Sequence, residues 1–381
     1  MVSKINFTPI FCKIENIKLP KLDKQKKKLK KWQIVLSLFL PLQILFVQYL
    51  KGKPQWIELY YSNWFYPFYS KIFQRITSIF PFSIGDVFYV FVILILFNKI
   101  RLILIGRIKF RGPLLVSITS WLSILYFIFH LSWAFNYYRL PLHQQLEIKN
   151  DYSTAELVSF TNQLINKTNN IHYLITKNDS LPVKYDYTEE EFRDMVFENI
   201  DSIQFLNQTA SFQTIKPSLI SLPLTYMGFG GYINPISHEA QYNDKVPKVK
   251  YPSLIAHEMA HQLGYAKENE ANFISCYTNM HSKNIMLKYA GYTYALKFCL
   301  NELYYSSPND FEILKAKVNS GILKNFNEII NFWESYKNPV EPYFKKFYGN
   351  FLKVNNQPQG IKSYNYVVAL LVNYYSEKSL P

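Results

Sequence analysis

The sequence predicts a mainly α-helical protein with a small β-sheet, in which three N-terminal transmembrane helices precede an α+β domain outside the bilayer. Three observations carry that prediction. Three long apolar stretches lie within the first 135 residues, the composition turns polar from Asn136 onward, and helix-start signals recur through the remainder. A protein of 381 residues has room for one good-sized domain plus an accessory region. Its 18% aromatic content beside only 18% charged residues also leans toward a membrane protein.

The apolar stretches run from Trp32 to about Leu50, from about Gly85 to Leu104 and from about Pro113 to Phe135. Each is close to the ~20 residues that a helix needs to cross ~30 Å of hydrocarbon. The first starts too far into the sequence for a cleaved signal peptide, lacks a small-x-small site and is followed by two more stretches, so an uncleaved anchor is expected. Trp121, Trp133 and tyrosines near the ends suit the membrane–water interface. The expected organisation is a basic arm (1–31), a membrane domain (32–135) and a soluble domain (136–381).

The formal net charge of +15 raises the question of nucleic acid, but its location argues otherwise. Residues 1–31 hold ten lysines against Glu15 and Asp23, directly before an apolar run. That pattern reads as a cytoplasmic anchor on anionic lipid; no nucleic-acid-binding motif accompanies it, and no nucleic-acid partner is expected. Lys99, Arg101, Arg107, Lys109 and Arg111 crowd the link between the second and third stretches. Positive residues mark the cytoplasmic side, so the arm and this link face inward, the 51–80 loop faces outward, and residues 136–381 emerge outside. Cys12, Cys276 and Cys299 are too few and scattered for a disulfide framework and read as small buried hydrophobes.

In the polar part, Ser153 followed by Glu156, and Thr188 followed by Glu191, have capping-box spacing and predict helix starts. Residues 218–234 mix β-formers with Gly228, Gly230 and Gly231, which suggests an irregular strand pair. Further helices are expected over 251–264, 268–281, 285–303, 309–317, 325–336 and 363–376.

One constellation carries chemistry: His257-Glu258-Met259-Ala260-His261. Histidines four apart lie one turn apart on one helix face, so both imidazoles can reach a single zinc ion at ~2.0–2.1 Å. Glu258 then sits where a metal-bound water would be and can act as general base. Leu254, Ile255, Ala256 and Leu263 give this helix an apolar side. A third ligand needs a turn and a carboxylate. Gly264 supplies the turn, and Glu268 or Glu270 the carboxylate; residues two apart on a helix diverge by about 200°, so only one should ligate. The order Glu-x-x-Ala-Asn from Glu268 to Asn272 resembles the signature in which gluzincin-type peptidases use the first Glu, which favours Glu268. Asn272, one turn later, could orient Glu268 or a ligating histidine.

His257 to Phe273, Asn136-Tyr137-Tyr138-Arg139, residues 228–243 and Gly360 to Tyr364 together resemble the bacterial membrane family catalogued as domain of unknown function 3810. The resemblance implies a zincin-like α+β metallopeptidase domain behind three helices, and the expected location is a bacterial inner membrane with a cytoplasmic N-terminus. Zincins bind peptide along an edge strand beside the metal helix, and Gly228 to Tyr232, with Gly230 at its centre, is the candidate. Glu239 and Asn243 are candidates to support the metal helix. Tyr364 or His281 could donate to a developing oxyanion, and His130 reads as a helix contact.

The expectation is a zinc-dependent peptide-bond hydrolase holding one ion, acting on an envelope protein or peptide that these residues do not specify. A membrane-embedded protease fits less well, because the motif lies about 120 residues past the last apolar stretch. A metal-stabilised scaffold or sensor without catalysis is the alternative, and Glu258 discriminates: a purely structural zinc site needs no general base.

Overall fold

In a computed structural model of the protein, the described residues are 29–107, 112–201, 203, 214–357, 366–376 and 378–381. Most of them are helical. Most of the basic arm lies outside these residues, as do Cys12, Lys109, Arg111 and Tyr364.

The apolar stretches form α1 (Lys31–Lys51), α3 (Ile84–Leu104) and α4 (Gly112–Ser132), each of 21 residues and apolar enough to cross a membrane. Gln33 pairs with Ser117 and Ser37 with Thr119, so α1 and α4 start at the same end and run parallel. Leu38, Leu45, Phe91, Ile93, Leu94 and Phe97 are at least 60% exposed, as lipid-facing side chains would be.

The segment between α1 and α3, expected as an outward loop, is helical instead. A short helix (Pro54–Trp56) passes through a π-helical stretch (Ile57–Phe65) into α2 (Tyr66–Thr77). Its polar and aromatic groups are spent on the rest of the protein. Ser62 donates to Asn136 at 2.9 Å, and the buried Tyr66 donates to the Gln262 carbonyl at 2.9 Å. A one-sided set of tertiary partners holds this helix, with propensity contributing little.

Beyond α4 come α5 (Thr154–Thr176), capped by Ser153 and Glu156, and α6 (Glu189–Asp201), entered through the Thr188–Glu191 pair as expected. The strands are β1 (Ile215–Pro217), β2 (Gly231–Ile233) and β3 (Ala240–Tyr242), in the order β1-β3-β2. β3 pairs parallel with β1 and antiparallel with β2, Tyr232 facing Gln241. The expected strand pair within 218–234 is corrected: Ser221–Met227 is a helix, α7, and the hairpin lies later. β2 finds its partner across the Asn234-to-Glu239 turn, where His238 takes φ +56°, and Leu219 to Pro223 have no strand to join.

The helix that carries both histidines of the pair, α8 (Tyr251–Gln262), follows, buried along its whole length. α9 (Glu268–Met280) and α10 (Ile285–Ser306) pack on it, and α11 (Pro308–Lys315), α12 (Ser320–Ser335), α13 (Glu341–Val354) and α14 (Val367–Ser376) complete the domain. α8 lies between the sheet and α9, which explains why it lacks the one-sided polarity of a surface helix.

The sheet is tied to α3 by buried charge. Glu239 accepts from the backbone N–H of Gly85 at 2.7 Å and of Ile84 at 3.2 Å, at the positive end of the α3 dipole. Lys216 pairs with the same carboxylate at 2.7 Å. Asp86 accepts from Ser218, from the Leu219 N–H and from the Tyr232 hydroxyl of β2.

Candidate metal centre

α8 sets His257 and His261 one turn apart, and their rings stand 4.6 Å apart at 85°. The backbone then reverses at Gly264, whose φ is +86°, a conformation that favours glycine. Tyr265 N–H reaches the Ala260 carbonyl at 3.1 Å and Gly264 N–H the His261 carbonyl at 2.8 Å, the paired bonds of a Schellman turn. That turn aims the Tyr265 carbonyl at His261 Nδ1, 2.8 Å away. A carbonyl only accepts, so Nδ1 carries a proton, and Nε2 is the atom that faces the cluster and can ligate once deprotonated.

The reversal brings α9 back with Glu268 at its first position. Glu268 Oε2 lies 3.3 Å from His257 Nε2 and 3.7 Å from His261 Nε2, and donor atoms of the three residues lie within 4.8 Å of one another. Neighbouring ligands on a tetrahedral zinc with ~2.0–2.1 Å bonds are ~3.3 Å apart. The spacing therefore fits such an ion. So does the hydrogen bonding: Glu268 Oε1 accepts from Tyr348 of α13 at 2.6 Å, whereas the buried Oε2 has no hydrogen-bond partner.

Glu270 points elsewhere. It accepts from the Leu142 N–H at 2.9 Å and pairs with Lys267 at 3.3 Å, so it holds the segment leaving α4. Asn272 stands beside His257 and accepts from the Tyr294 hydroxyl at 2.7 Å.

Glu258 is buried next to the cluster with one oxygen, Oε2, lacking a hydrogen-bond partner. A Cβ on Gly231 would lie 2.6 Å from its Oε1, so only glycine lets β2 approach it. Gly230 makes a similar approach, its would-be Cβ 3.0 Å from Leu254 Cδ1. Burial pushes the Glu258 carboxyl up to about 8, with His261 opposing and Glu268 adding to the rise. Burial lowers His261, but the adjoining Glu268 outweighs it and leaves the imidazole at about 9. The same contacts hold Glu268 well below the usual carboxylate range despite burial, which acts in the opposite direction.

Several residues that hold this geometry were not legible in the sequence. Arg139 donates to the Gly264 carbonyl at 3.1 Å, pairs with Glu58 and lies 4.3 Å over the Tyr265 ring. Trp133, at the end of α4, donates to the His261 carbonyl at 3.5 Å. Trp133 and Arg139 thus fasten the turn between the histidines and Glu268 to the exit of α4, and Tyr66 fastens it to the start of α2. About 120 residues of sequence separate α4 from the motif, yet the two are in contact.

Other candidates take different places. Glu239 braces α3, and Asn243 holds the Phe229 carbonyl and Thr225. His281 caps the C-terminal end of α9, thirteen residues past Glu268 and ~20 Å along the axis at ~1.5 Å per residue, too far to serve the cluster. His130 packs among Tyr126, Phe129 and Phe135, as a helix contact should. Cys276 and Cys299 are buried free thiols.

The fold and site define a mainly helical protein with three helices of membrane-crossing length and a buried His–His–Glu cluster braced against their ends. The chain belongs to the family described as "Protein of unknown function (DUF3810)", whose model matches residues 61–372. No curated protein and no solved structure matches it.

Proposed function

We propose that this protein is a membrane-anchored, zinc-dependent peptidase, with a zincin-like domain on the outer face of a bacterial inner membrane. The observation that carries the reading is the set of three buried donors within 4.8 Å of one another, with the unpartnered Glu258 carboxylate oxygen buried beside them.

Residues His257, His261 and Glu268 would hold the ion. When bound, zinc supplies Lewis acidity toward the scissile carbonyl and acidifies water. Glu258 takes a proton from the attacking water and returns it to the leaving amine. The Tyr265 carbonyl fixes the His261 tautomer, and Tyr348 fixes the Glu268 rotamer. β2 is the terminal strand of its sheet, and Gly231 lets it lie close against Glu258, so a substrate backbone pairing along its free edge would lie beside the cluster. The lysine-rich arm and the basic link between α3 and α4 support a cytoplasmic placement of those ends. The 54–86 segment, the exit of α4 and the cluster then share the opposite side. A substrate at the membrane surface, an envelope protein or peptide, suits that position.

The test compares protein N-termini in cells carrying the wild type with those carrying E258Q at equal abundance. Envelope proteins should lose specific cleavages in the variant. Identical N-termini with zinc retained would favour the scaffold or sensor.

A further inference from the structure

The helical segment between α1 and α3 has its polarity inside out. Along α2 and its approach, Ser62, Ser70, Gln74 and Thr77 are buried, whereas Leu59, Trp64, Phe68, Ile72 and Ile76 are exposed, with Ile79 just beyond. Residues 66, 70, 74 and 77 share one side of α2, and residues 68, 72 and 76 lie on the opposite side. Polar in and apolar out is the reverse of a helix packed on a water-soluble protein. Leu59, Trp64, Phe68 and Ile79 are at least 60% exposed, as much as the lipid-facing side chains of α1 and α3. The charges on this face are Lys71 and Arg75, one turn apart.

An apolar face of this extent marks a lipid or protein contact rather than a boundary with water. Continuity decides for lipid. α1 runs into the segment directly, through Lys51 and Gly52. At the far end, Lys216 Nζ donates to the Thr77 carbonyl at 2.7 Å and to the Phe82 carbonyl at 3.1 Å, which holds the end of α2 beside the start of α3. Both ends of the segment are thus tied to the same side of the membrane-crossing helices, so it lies along the surface rather than across the bilayer. Its other side is taken by the rest of the protein. Tyr61 donates to the Leu131 carbonyl at 3.0 Å, Tyr66 to the Gln262 carbonyl at 2.9 Å, and the Tyr69 ring lies 5.1 Å from that of His238. Trp56, Tyr60 and Trp64, all exposed, have the amphipathic rings that favour headgroup depth, and the long stems of Lys71 and Arg75 suit the same level.

We propose that residues 56–82 form an interfacial element whose apolar face is sunk into the leaflet on the side of the cluster. The occupant of the face is lipid, with anionic headgroups meeting Lys71 and Arg75. Tyr66 reaches Gln262 from the other side of the same helix, so the leaflet lies about one helix spacing, ~8–10 Å, from the end of α8. The contact fixes the height of the cluster above the bilayer, whether or not the cluster hydrolyses peptides.

The test places single spin labels on the full-length protein through F68C, I72C and I76C in a C12S background. Each is reconstituted in vesicles of phosphatidylethanolamine and phosphatidylglycerol. Cys276 and Cys299 are buried and stay unlabelled. Collisions with oxygen should exceed those with a water-soluble nickel chelate at all three positions, at a depth of about 5–10 Å into the leaflet. F91C in α3 should favour oxygen as well, and K177C, exposed at the end of α5, should favour nickel. Nickel favoured at positions 68, 72 and 76 would put the face in water and overturn the proposal. Exclusion of both reagents, with dipolar broadening between labels, would assign the face to a second copy and overturn it equally. Unlabelled protein gives an independent reading. The emission lost on W64F should be emission that brominated lipid quenches, and emission indifferent to bromine would contradict the lipid contact.

Discussion

The Tyr265 carbonyl accepts the Nδ1–H of His261 at 2.8 Å, and this bond exists because Gly264 turns the backbone with φ +86°. Replacing Gly264 tests that dependence. A Cβ there would lie 3.0 Å from a Tyr66 ring carbon and 3.1 Å from Asn136 Oδ1, in a backbone region that costs an L-residue about 1–2 kcal/mol. G264A should lose about that much stability by denaturant melt. It should also lose about tenfold or more in zinc affinity, as removal of a ligand's supporting bond does.

Glu268 and Glu270 make opposite predictions, although both are buried glutamates in the first turn of α9. E268A removes the oxygen between the two imidazoles, so zinc should be lost on purification. E270A releases the Leu142 N–H and should lower stability by about 1–3 kcal/mol, the cost of a buried group left unpaired, with zinc kept. Metal analysis of both variants checks the pair; zinc retained in E268A and lost in E270A would reverse the ligand assignment.

Zinc binding should release protons. Glu268 keeps His261 at about 9, so in the metal-free protein its imidazole is protonated at pH 7 and must be deprotonated to ligate. Because this value is raised, the His261–Glu268 contact stabilises the metal-free fold fully below about 6.5. That contribution fades as pH rises through about 9. Zinc affinity should accordingly fall about tenfold for each pH unit below 9. Calorimetry at pH 7 in buffers of different ionisation enthalpy should find about one proton released per zinc bound. No release would contradict the site as described.

A fragment beginning at Asn136 should not behave as a folded domain. It lacks Tyr66, Trp133 and Glu58, which reach Gln262, His261 and Arg139, as well as the Glu239 and Asp86 attachments to α3. Hydrogen exchange should find α8 and the Gly264 turn far less protected in the fragment than in the full-length protein. Equal protection would show that the apolar helices only tether the domain.

The spans, the capped helices and the two histidines were legible because each has a local signature: length and hydropathy, a Ser or Thr three residues before Glu, and a four-residue spacing. Glu268 was legible through its motif and the Gly264 turn. Tyr348 was not, since a tyrosine 80 residues away on an otherwise ordinary amphipathic helix carries no local mark. The 54–77 helices were missed for a related reason: their aromatic and polar residues make sense only against distant partners, Asn136 and Arg139 at the exit of α4, His238, and the Gln262 carbonyl. Leu219 to Pro223 read as strand because β-formers cluster there, but strands need partners, and β3 had already paired with β1 and β2.

The most direct test is zinc content and peptide hydrolysis of the full-length protein, wild type beside E258Q, purified in detergent and assayed on a mixed peptide library. The account predicts about one zinc per molecule in both and cleavage by the wild type alone. A protein without zinc, or equal cleavage by E258Q, would contradict it.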